Sequence, residues 1–277
     1  MKLSQQTRAL ITGAGGGLGR ALALQLAKRG VRLLLTDINL AAAEESARQC
    51  LTAGASEAHA LTHNVRSKEE FAALKEHVSK DWGGLDLLVN NAGVAVAGEF
   101  GSQSLDDWTW IMEINLWGVI YGCHYFLPMM QAQRSGAILN IASSAGLLNP
   151  PHLVSYNVTK AGVIALSETL AIEAHAHGVT VSVACPTFFE TGILSSARVD
   201  NENFRQSAQV FFDYARCTAE SVSTACLKAV EAGTLHVLPS WDARFFWRLK
   251  RLSPGLLGWA LRKILENYNH GRKKINR

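Results

Sequence analysis

Five short apolar runs recur along the chain: Ala9–Thr12, Val31–Thr36, Leu85–Asn90, Ala137–Ala142 and Val179–Cys185. None alternates between apolar and polar positions as a strand with one wet face does. Continuous apolar runs of this length mark strands buried on both sides. Between them lie Leu18–Arg29, Leu40–Ala53, Lys68–Lys80, Leu105–Leu127 and Val158–His177, which are long enough for helices and carry a helical period. The alternation predicts an α/β fold, a doubly wound parallel sheet with helices on both faces. No internal repeat, low-complexity tract or Pro/Gly/Ser-rich linker interrupts the chain before about residue 239. Residues 1–240 therefore read as one domain and 241–277 as an extension.

Composition narrows the class. With 277 residues, 48% hydrophobic and 18% charged, the chain can bury enough apolar surface to offset its ordering entropy. That excludes wholesale disorder and a small disulfide scaffold. The five cysteines, Cys50, Cys123, Cys185, Cys217 and Cys226, are odd in number and form no C-x-x-C pair, which fits a reducing compartment. The start, Met1 to Gln6, is polar and has no signal-peptide core, and no apolar run approaches the ~20 residues of a membrane span. A cytoplasmic location is the expectation.

Charge is unevenly distributed. The formal +4 hides ten Lys+Arg against two Asp+Glu from Trp241 onward, a local +8, which leaves −4 on the first 240 residues. Pro254-Gly255 divides that extension into two helices. Phe245, Leu249 and Leu252 run along the first at i, i+4, i+7, beside Arg244, Arg248 and Arg251. In the second, Leu256, Leu257, Ala260, Leu261, Ile264 and Leu265 share one face, with Arg262, Lys263 and Glu266 opposite. With Trp241, Trp247 and Trp259 added, these helices resemble segments that lie on a membrane surface. The alternative is that they cover a substrate mouth or a partner subunit. Nucleic-acid binding is not expected, because no binding module accompanies the charge.

The first strand runs into Thr12-Gly13-Ala14-Gly15-Gly16-Gly17-Leu18-Gly19, followed by a helical stretch. Glycines there permit a tight turn and let a pyrophosphate approach, while N–H groups at the helix start, near Leu18, face the anion. The second strand ends at Asp37, about 20 residues on, where a carboxylate can accept both hydroxyls of an adenosine ribose. Its charge opposes a 2′-phosphate, so NAD is favoured. Arg20 keeps NADP as the alternative. Asp37 can also be read as a cap for the next helix, a role open to Asn39 as well.

A third constellation follows the strand at residues 137–142. Ser143 is thirteen residues before Tyr156, and Lys160 comes one helical turn later, at i+4. A phenol with pKa about 10 is a weak base at neutral pH, and a neighbouring ammonium lowers that value. Ser143 can hydrogen-bond a substrate oxygen beside the phenol. A turn serine and a chance Tyr-x-x-x-Lys are the bland alternatives, and what separates the readings is the order of the motifs.

Taken together, the chain resembles a classical short-chain dehydrogenase/reductase over about residues 5–240. The likeness rests on Thr12-Gly13-x-x-x-Gly17-x-Gly19, Asn90-Asn91-Ala92-Gly93, Asn115 in Asn-Leu-Trp-Gly, Ser143, and Tyr156-x-x-x-Lys160. The resemblance implies a Rossmann-like fold and an NAD(P)-dependent oxidoreductase. In it, Tyr156 is the acid/base, Lys160 lowers its pKa and binds the nicotinamide ribose, Ser143 orients the substrate and Asn115 holds a relay water. It also implies cofactor contacts at Asn91, Ala92 and Gly93, at Asn64 and Val65 by the adenine, and at Pro186 and Thr191 by the nicotinamide. Two departures stand out. Asn64 replaces the family's Asp, and Thr187 replaces the glycine after Pro186, denying the backbone an easy positive φ.

Substrate choice is expected from residues 94–102, 145–155 and Phe188–Tyr214. These include Val94, Val96, Leu147, Leu148, Phe204, Phe211, Phe212 and Tyr214, with no Lys/Arg cluster for a phosphate. A small lipophilic secondary alcohol or ketone is the expected substrate. An NADPH-dependent carbonyl reductase and a non-catalytic nucleotide sensor or scaffold remain the competing readings. No metal site is read, and a homodimer or homotetramer is what the family resemblance implies.

Overall fold

The structure, a computed structural model, describes residues 1–187, 197–199 and 217–263. Its main sheet has seven strands, β1 (Arg8–Thr12), β2 (Arg32–Asp37), β3 (Glu57–Thr62), β4 (Leu87–Asn90), β6 (Gly136–Ile141), β7 (Val179–Ala184) and β9 (His236–Val237). Every pairing is parallel, in the order β3-β2-β1-β4-β6-β7-β9. Two further strands, β5 (Val96–Ala97) and β8 (Arg198–Val199), pair separately. The strand order reverses between β1 and β4, and the crevice at such a switch point is where open α/β sheets bind ligands.

The helices are α1 (Gly17–Ala27), α2 (Leu40–Ala53), α3 (Lys68–Trp82), α4 (Leu105–Met112), α5 (Gly118–Gln133), α6 (Ala145–Leu148), α7 (Val154–His175) and α8 (Ala219–Ala232). They form two layers. On one face Leu22 and Leu26 of α1, Cys50 of α2 and Val222, Leu227 and Val230 of α8 pack on the sheet. On the other, Phe71 of α3, Phe126 of α5 and Val163 of α7 do the same, with Phe71 stacked on Tyr125 at 6.3 Å. Helix starts are capped by Asn39, Ser67, Ser104 and Thr218, each side chain accepting a backbone N–H. Each such cap stabilises by about 1 kcal/mol.

The pattern missed both sheet edges, for a common reason. The burial of β3 is partial along its length, and β9 is two residues long, so neither forms an apolar run. The stretch expected as one helix, Leu105–Leu127, is α4 and α5 joined by a π-helical turn at Glu113–Trp117. Beyond the sheet, Trp241–Leu252 forms helix α9 and residues 254–263 form α10, separated at Ser253. The proline that opens α10 occupies a first-turn position that needs no donated hydrogen bond. Both helices thus follow the last strand of the sheet.

Candidate active site

The glycine turn lies between β1 and α1. Gly13 and Gly17 adopt φ of +64° and +52°, a left-handed conformation that glycine reaches without strain. A Cβ at Gly13 would stand 2.7 Å from the Ala92 Cα, and one at Gly19 would collide with the Gly13 carbonyl oxygen. The first helical residues, Leu18 among them, follow Gly16, which offers no side-chain cap, and the first turn holds no acidic residue. The N–H groups of that turn therefore keep their capacity for an external anion.

Asn91 braces this turn from β4. Its Nδ2 donates to the carbonyls of Thr12 and Gly13, both at 2.9 Å, and its backbone N–H and that of Ala92 donate to Thr12 Oγ1. Gly93 comes next, and a Cβ there would lie 3.3 Å from Asn115 Oδ1 and 3.4 Å from Lys160 Nζ. The 91–93 segment thus links the phosphate side of the crevice to the tyrosine side.

Asp37, at the end of β2, accepts from Gly15 N at 2.9 Å and from Asn39 N at 3.0 Å. Asn39 caps α2, with its Oδ1 accepting from Ala42 N at 3.1 Å, so Asp37 is not spent on that role. Arg20 is engaged by the protein: its Nε donates to Ser46 Oγ at 2.8 Å, and its guanidinium also donates to the Gly15 carbonyl. Asn64 sits in a tight local turn, its Oδ1 accepting from Arg66 N at 3.1 Å. One lone pair of the oxygen expected to face an adenine is therefore occupied locally. Val65 is buried, and its side chain would lie 3.0 Å from a Cβ at Gly118.

At the ends of β6 and β7 the chemistry-bearing groups converge. Ser143 Oγ accepts from Ala145 N at 3.1 Å and donates to the Pro186 carbonyl at 3.5 Å, close enough to the Tyr156 phenol to act on its acidity. Lys160 Nζ lies 5.6 Å from the centre of the Tyr156 ring and donates to the Ile141 carbonyl at 2.9 Å. Burial dominates both groups. It pushes the Tyr156 phenol up to about 12, against the lowering effect of Ser143, and pulls the Lys160 ammonium down to about 8. Desolvation of the phenol, with Cys185 adding to it, sets the direction for the tyrosine, and the lowering expected from the lysine does not emerge in the polypeptide alone.

Asn115 is held closely by its own chain. It is fully buried in the π-helical turn, where Oδ1 accepts from Val94 N at 2.8 Å and Nδ2 donates to Val94 O at 2.9 Å and to Thr159 Oγ1. Both ends of its amide bond to protein, so its side chain fixes the segment at Val94. Thr187 shows no positive φ, and its Oγ1 donates to Ser240 Oγ at 3.2 Å. The strain expected from losing the family's glycine is absent. Thr191, Phe204, Phe211, Phe212 and Tyr214 lie outside the described residues.

Sequence reasoning also missed how the mouth is held. Asn149 and His152, at φ of +55° and +65°, place two non-glycine residues in the left-handed region between α6 and α7. Lys250 Nζ, from α9, donates to the Leu147 carbonyl. No local pattern signals that contact, which joins residues 103 positions apart. Among the described residues no group of His, Cys, Asp and Glu is placed to hold a metal. All five cysteines are free.

Comparison with known proteins follows the same outline. The short chain dehydrogenase family matches over residues 7–202. Cyclohexanol dehydrogenase of Acinetobacter sp. (strain SE19) is 35% identical over 190 residues, covering 68% of this chain and 74% of that protein. The 3-oxoacyl-(acyl-carrier-protein) reductase FabG of Staphylococcus aureus is 36% identical over 191 residues, covering 68% and 76%. A short chain dehydrogenase/reductase of Burkholderia phymatum, solved in complex with NAD, superposes with a TM-score of 0.85 at 31% identity, over 92% of this chain and 96% of that one.

Proposed function

The chain belongs to the short chain dehydrogenase family, and from that premise we propose that it interconverts a lipophilic secondary alcohol and its ketone with NAD. The observation that carries this reading is the convergence of Ser143, Tyr156 and Lys160 beside the glycine turn. When bound, the dinucleotide supplies the hydride acceptor or donor. The residues present fit it: an uncapped helix start for the pyrophosphate, Asp37 for the adenosine ribose, and Lys160 for the second ribose. An ammonium has three donors, and the Ile141 carbonyl takes one of Lys160's, which leaves two.

The protein's own part is the movement of a proton. Ser143 Oγ, held near the phenol, donates to the substrate oxygen and sets it beside Tyr156 Oη. In reduction Tyr156 Oη gives its proton to that oxygen, for which a phenol held in its protonated form is suited. In oxidation the phenolate form of Tyr156, stabilised by the nearby Lys160 charge, takes the carbinol proton and returns to the phenol. Asn115 keeps the 91–94 segment in place and is a positioning residue.

NAD is supported by Asp37, whose carboxylate stands at the glycine turn, and by the engagement of Arg20 with Ser46 and Gly15. A lipophilic substrate is supported by the partly buried Val94, Leu147, Leu148, Leu153 and Val154 around the mouth. A panel of long-chain and polycyclic alcohols, polyols and acyl thioesters, followed by NADH fluorescence, tests the reading. Tyr156→Phe should lower turnover by about 10²–10⁴ while cofactor still binds; equal rates would overturn the mechanism and favour a non-catalytic role. Tighter binding of NADPH than NADH would refute the cofactor assignment, and preference for polyols the substrate class.

A further inference from the structure

Helix α9 is amphipathic in the reverse of the usual sense. Trp241, Phe245 and Leu252 fall within about 40° of arc on an α-helix, and they are 65%, 54% and 85% exposed. The residue α9 buries is Ala243. In α10, Leu257 is buried, while Leu256 and Trp259 are 49% and 53% exposed. An ordinary surface helix turns its large apolar residues inward. These two helices instead leave tryptophan, phenylalanine and leucine exposed, the kind of side chains that mark an interaction surface.

Basic residues border the patch. Residues 241–263 hold six Lys+Arg against one Asp. Arg248 shares the outward side of α9 with the apolar stripe, and Arg251 stands beside it, its guanidinium 5.1 Å from the Trp247 ring centre. We propose that α9 and α10 form a docking face for an anionic lipid surface. Tryptophan with arginine suits the boundary between headgroups and acyl chains, where the ring is wetted at one end and the guanidinium meets phosphate. A second copy of this chain fits the same face less well. Two-fold apposition would set a segment with six Lys+Arg and one Asp against its own copy, and like net charges oppose association. No helix among the described residues is long and apolar enough to cross a membrane, so the contact is of the surface-lying kind.

The docking face is fixed relative to the catalytic groups. At its start, Ser240 accepts from Thr187, next to the Pro186 whose carbonyl Ser143 contacts. Towards its end, Lys250 Nζ donates to the Leu147 carbonyl and, with the Asn149 amide turned to satisfy both its ends, to Asn149 Oδ1 at 3.0 Å. Helix α9 thus spans the two segments that flank Ser143, and a lipid surface against it lies beside the mouth at residues 145–152. Lipophilic substrate would enter from the bilayer side. That last step rests on the reaction proposed above, whereas the docking rests on exposure and charge.

The test is sedimentation of the full chain with vesicles of phosphatidylcholine, with and without added phosphatidylglycerol, at low and high salt. The protein should sediment with the anionic vesicles, less so at high salt. Trp241→Ser/Phe245→Ser/Leu252→Ser and Arg248→Glu/Arg251→Glu should each reduce partitioning at least about tenfold. Both variants should keep wild-type melting and wild-type turnover of a water-soluble alcohol. Absence of sedimentation with anionic vesicles, or unchanged sedimentation of both variants, would overturn the proposal. So would a triple variant that turns a dimer into a monomer when the parent ignores vesicles, since that assigns the face to a second copy. Sedimentation needs no turnover, so an inactive protein that sediments would refute the reaction and leave the docking in place.

Discussion

Replacing Lys160 with methionine should make the protein's stability respond differently to pH, by an amount the structure specifies. The Lys160 side chain is 3% exposed, and burial lowers its ammonium from 10.5 to about 8, with Cys185 nearby opposing the shift. A drop of about 2.5 units at 1.36 kcal/mol per unit means that the charged lysine costs the native state ~3 kcal/mol near neutral pH. The sign follows from proton counting. Between about 8 and 10.5 the unfolded chain keeps a proton that the native protein has released, so stability attributable to this group rises with pH across that window. The full cost is present below the window, and about 2 kcal/mol of it is recovered by about pH 9.5.

Other groups titrate nearby, and the comparison removes most of them. Burial pushes the thiols of Cys123, Cys185 and Cys226 up to about 12 and that of Cys50 up to about 11. These favour unfolding once the unfolded thiols ionise above about pH 9; Cys123, Cys226 and Cys50 do so in both proteins, whereas Cys185, which the Lys160 charge lowers, is raised further in the variant and adds to its loss. Lys160→Met also strands the Ile141 carbonyl, at about 1–3 kcal/mol, a cost that does not vary with pH. Urea unfolding of wild type and variant without cofactor, followed by tryptophan fluorescence from neutral pH to about 9.5, should show the variant losing ~2 kcal/mol relative to wild type. A difference flat to within ~0.5 kcal/mol would mean that Lys160 is not desolvated as described.

Three other expectations concern the cofactor side of the crevice. Gly19→Ala, whose Cβ would meet the Gly13 carbonyl, should fold but bind NADH at least about tenfold more weakly in a fluorescence titration, and native affinity would show that the turn can shift. Asn91→Ala removes two hydrogen bonds of 2.9 Å and leaves the Thr12 and Gly13 carbonyls short of partners, so its urea midpoint should fall by an amount worth ~1–3 kcal/mol; an unchanged midpoint would deny the brace. His63 is buried and lowered to about 4, so the unfolded chain takes up its proton first as pH falls through 6.5, and stability should drop between there and about 4. His63→Leu should remove ~3 kcal/mol of that acid dependence, and an identical acid profile would refute the assignment.

How much of this was legible in the chain depended on whether a feature is local. The Leu40–Ala53 helix has its cap, Asn39, and its terminating glycine, Gly54, within the same stretch, and its bounds were read without error. The strands at the centre of the sheet, buried on both faces, announced themselves as apolar runs. Edge strands β3 and β9 did not, because burial on the edge is incomplete. The trio proposed for catalysis was legible because Ser143, Tyr156 and Lys160 lie within one strand–helix unit. Its electrostatics were not, because the balance depends on the depth of burial and on Cys185, which no spacing reveals. The tie from Lys250 to Leu147 was equally invisible, since nothing in either segment requires the other.

The π-helical turn at Glu113–Trp117 carries one residue more than an α-helical path needs. An added residue advances everything after it by about 100° around the helix axis, so α4 and α5 present faces that no uninterrupted helix would offer together. Ile111 faces the interior before the turn and Val119 and Cys123 after it, while Asn115 is aimed at Val94 between them. Deleting a single residue there would restore an unbroken helix and better backbone geometry, yet would force a choice between the packing of Phe126 and the placement of Asn115. Local regularity and the shape of the crevice are in opposition at this point, which makes chain length between 113 and 117 a constraint as strict as the identity of any side chain in the site.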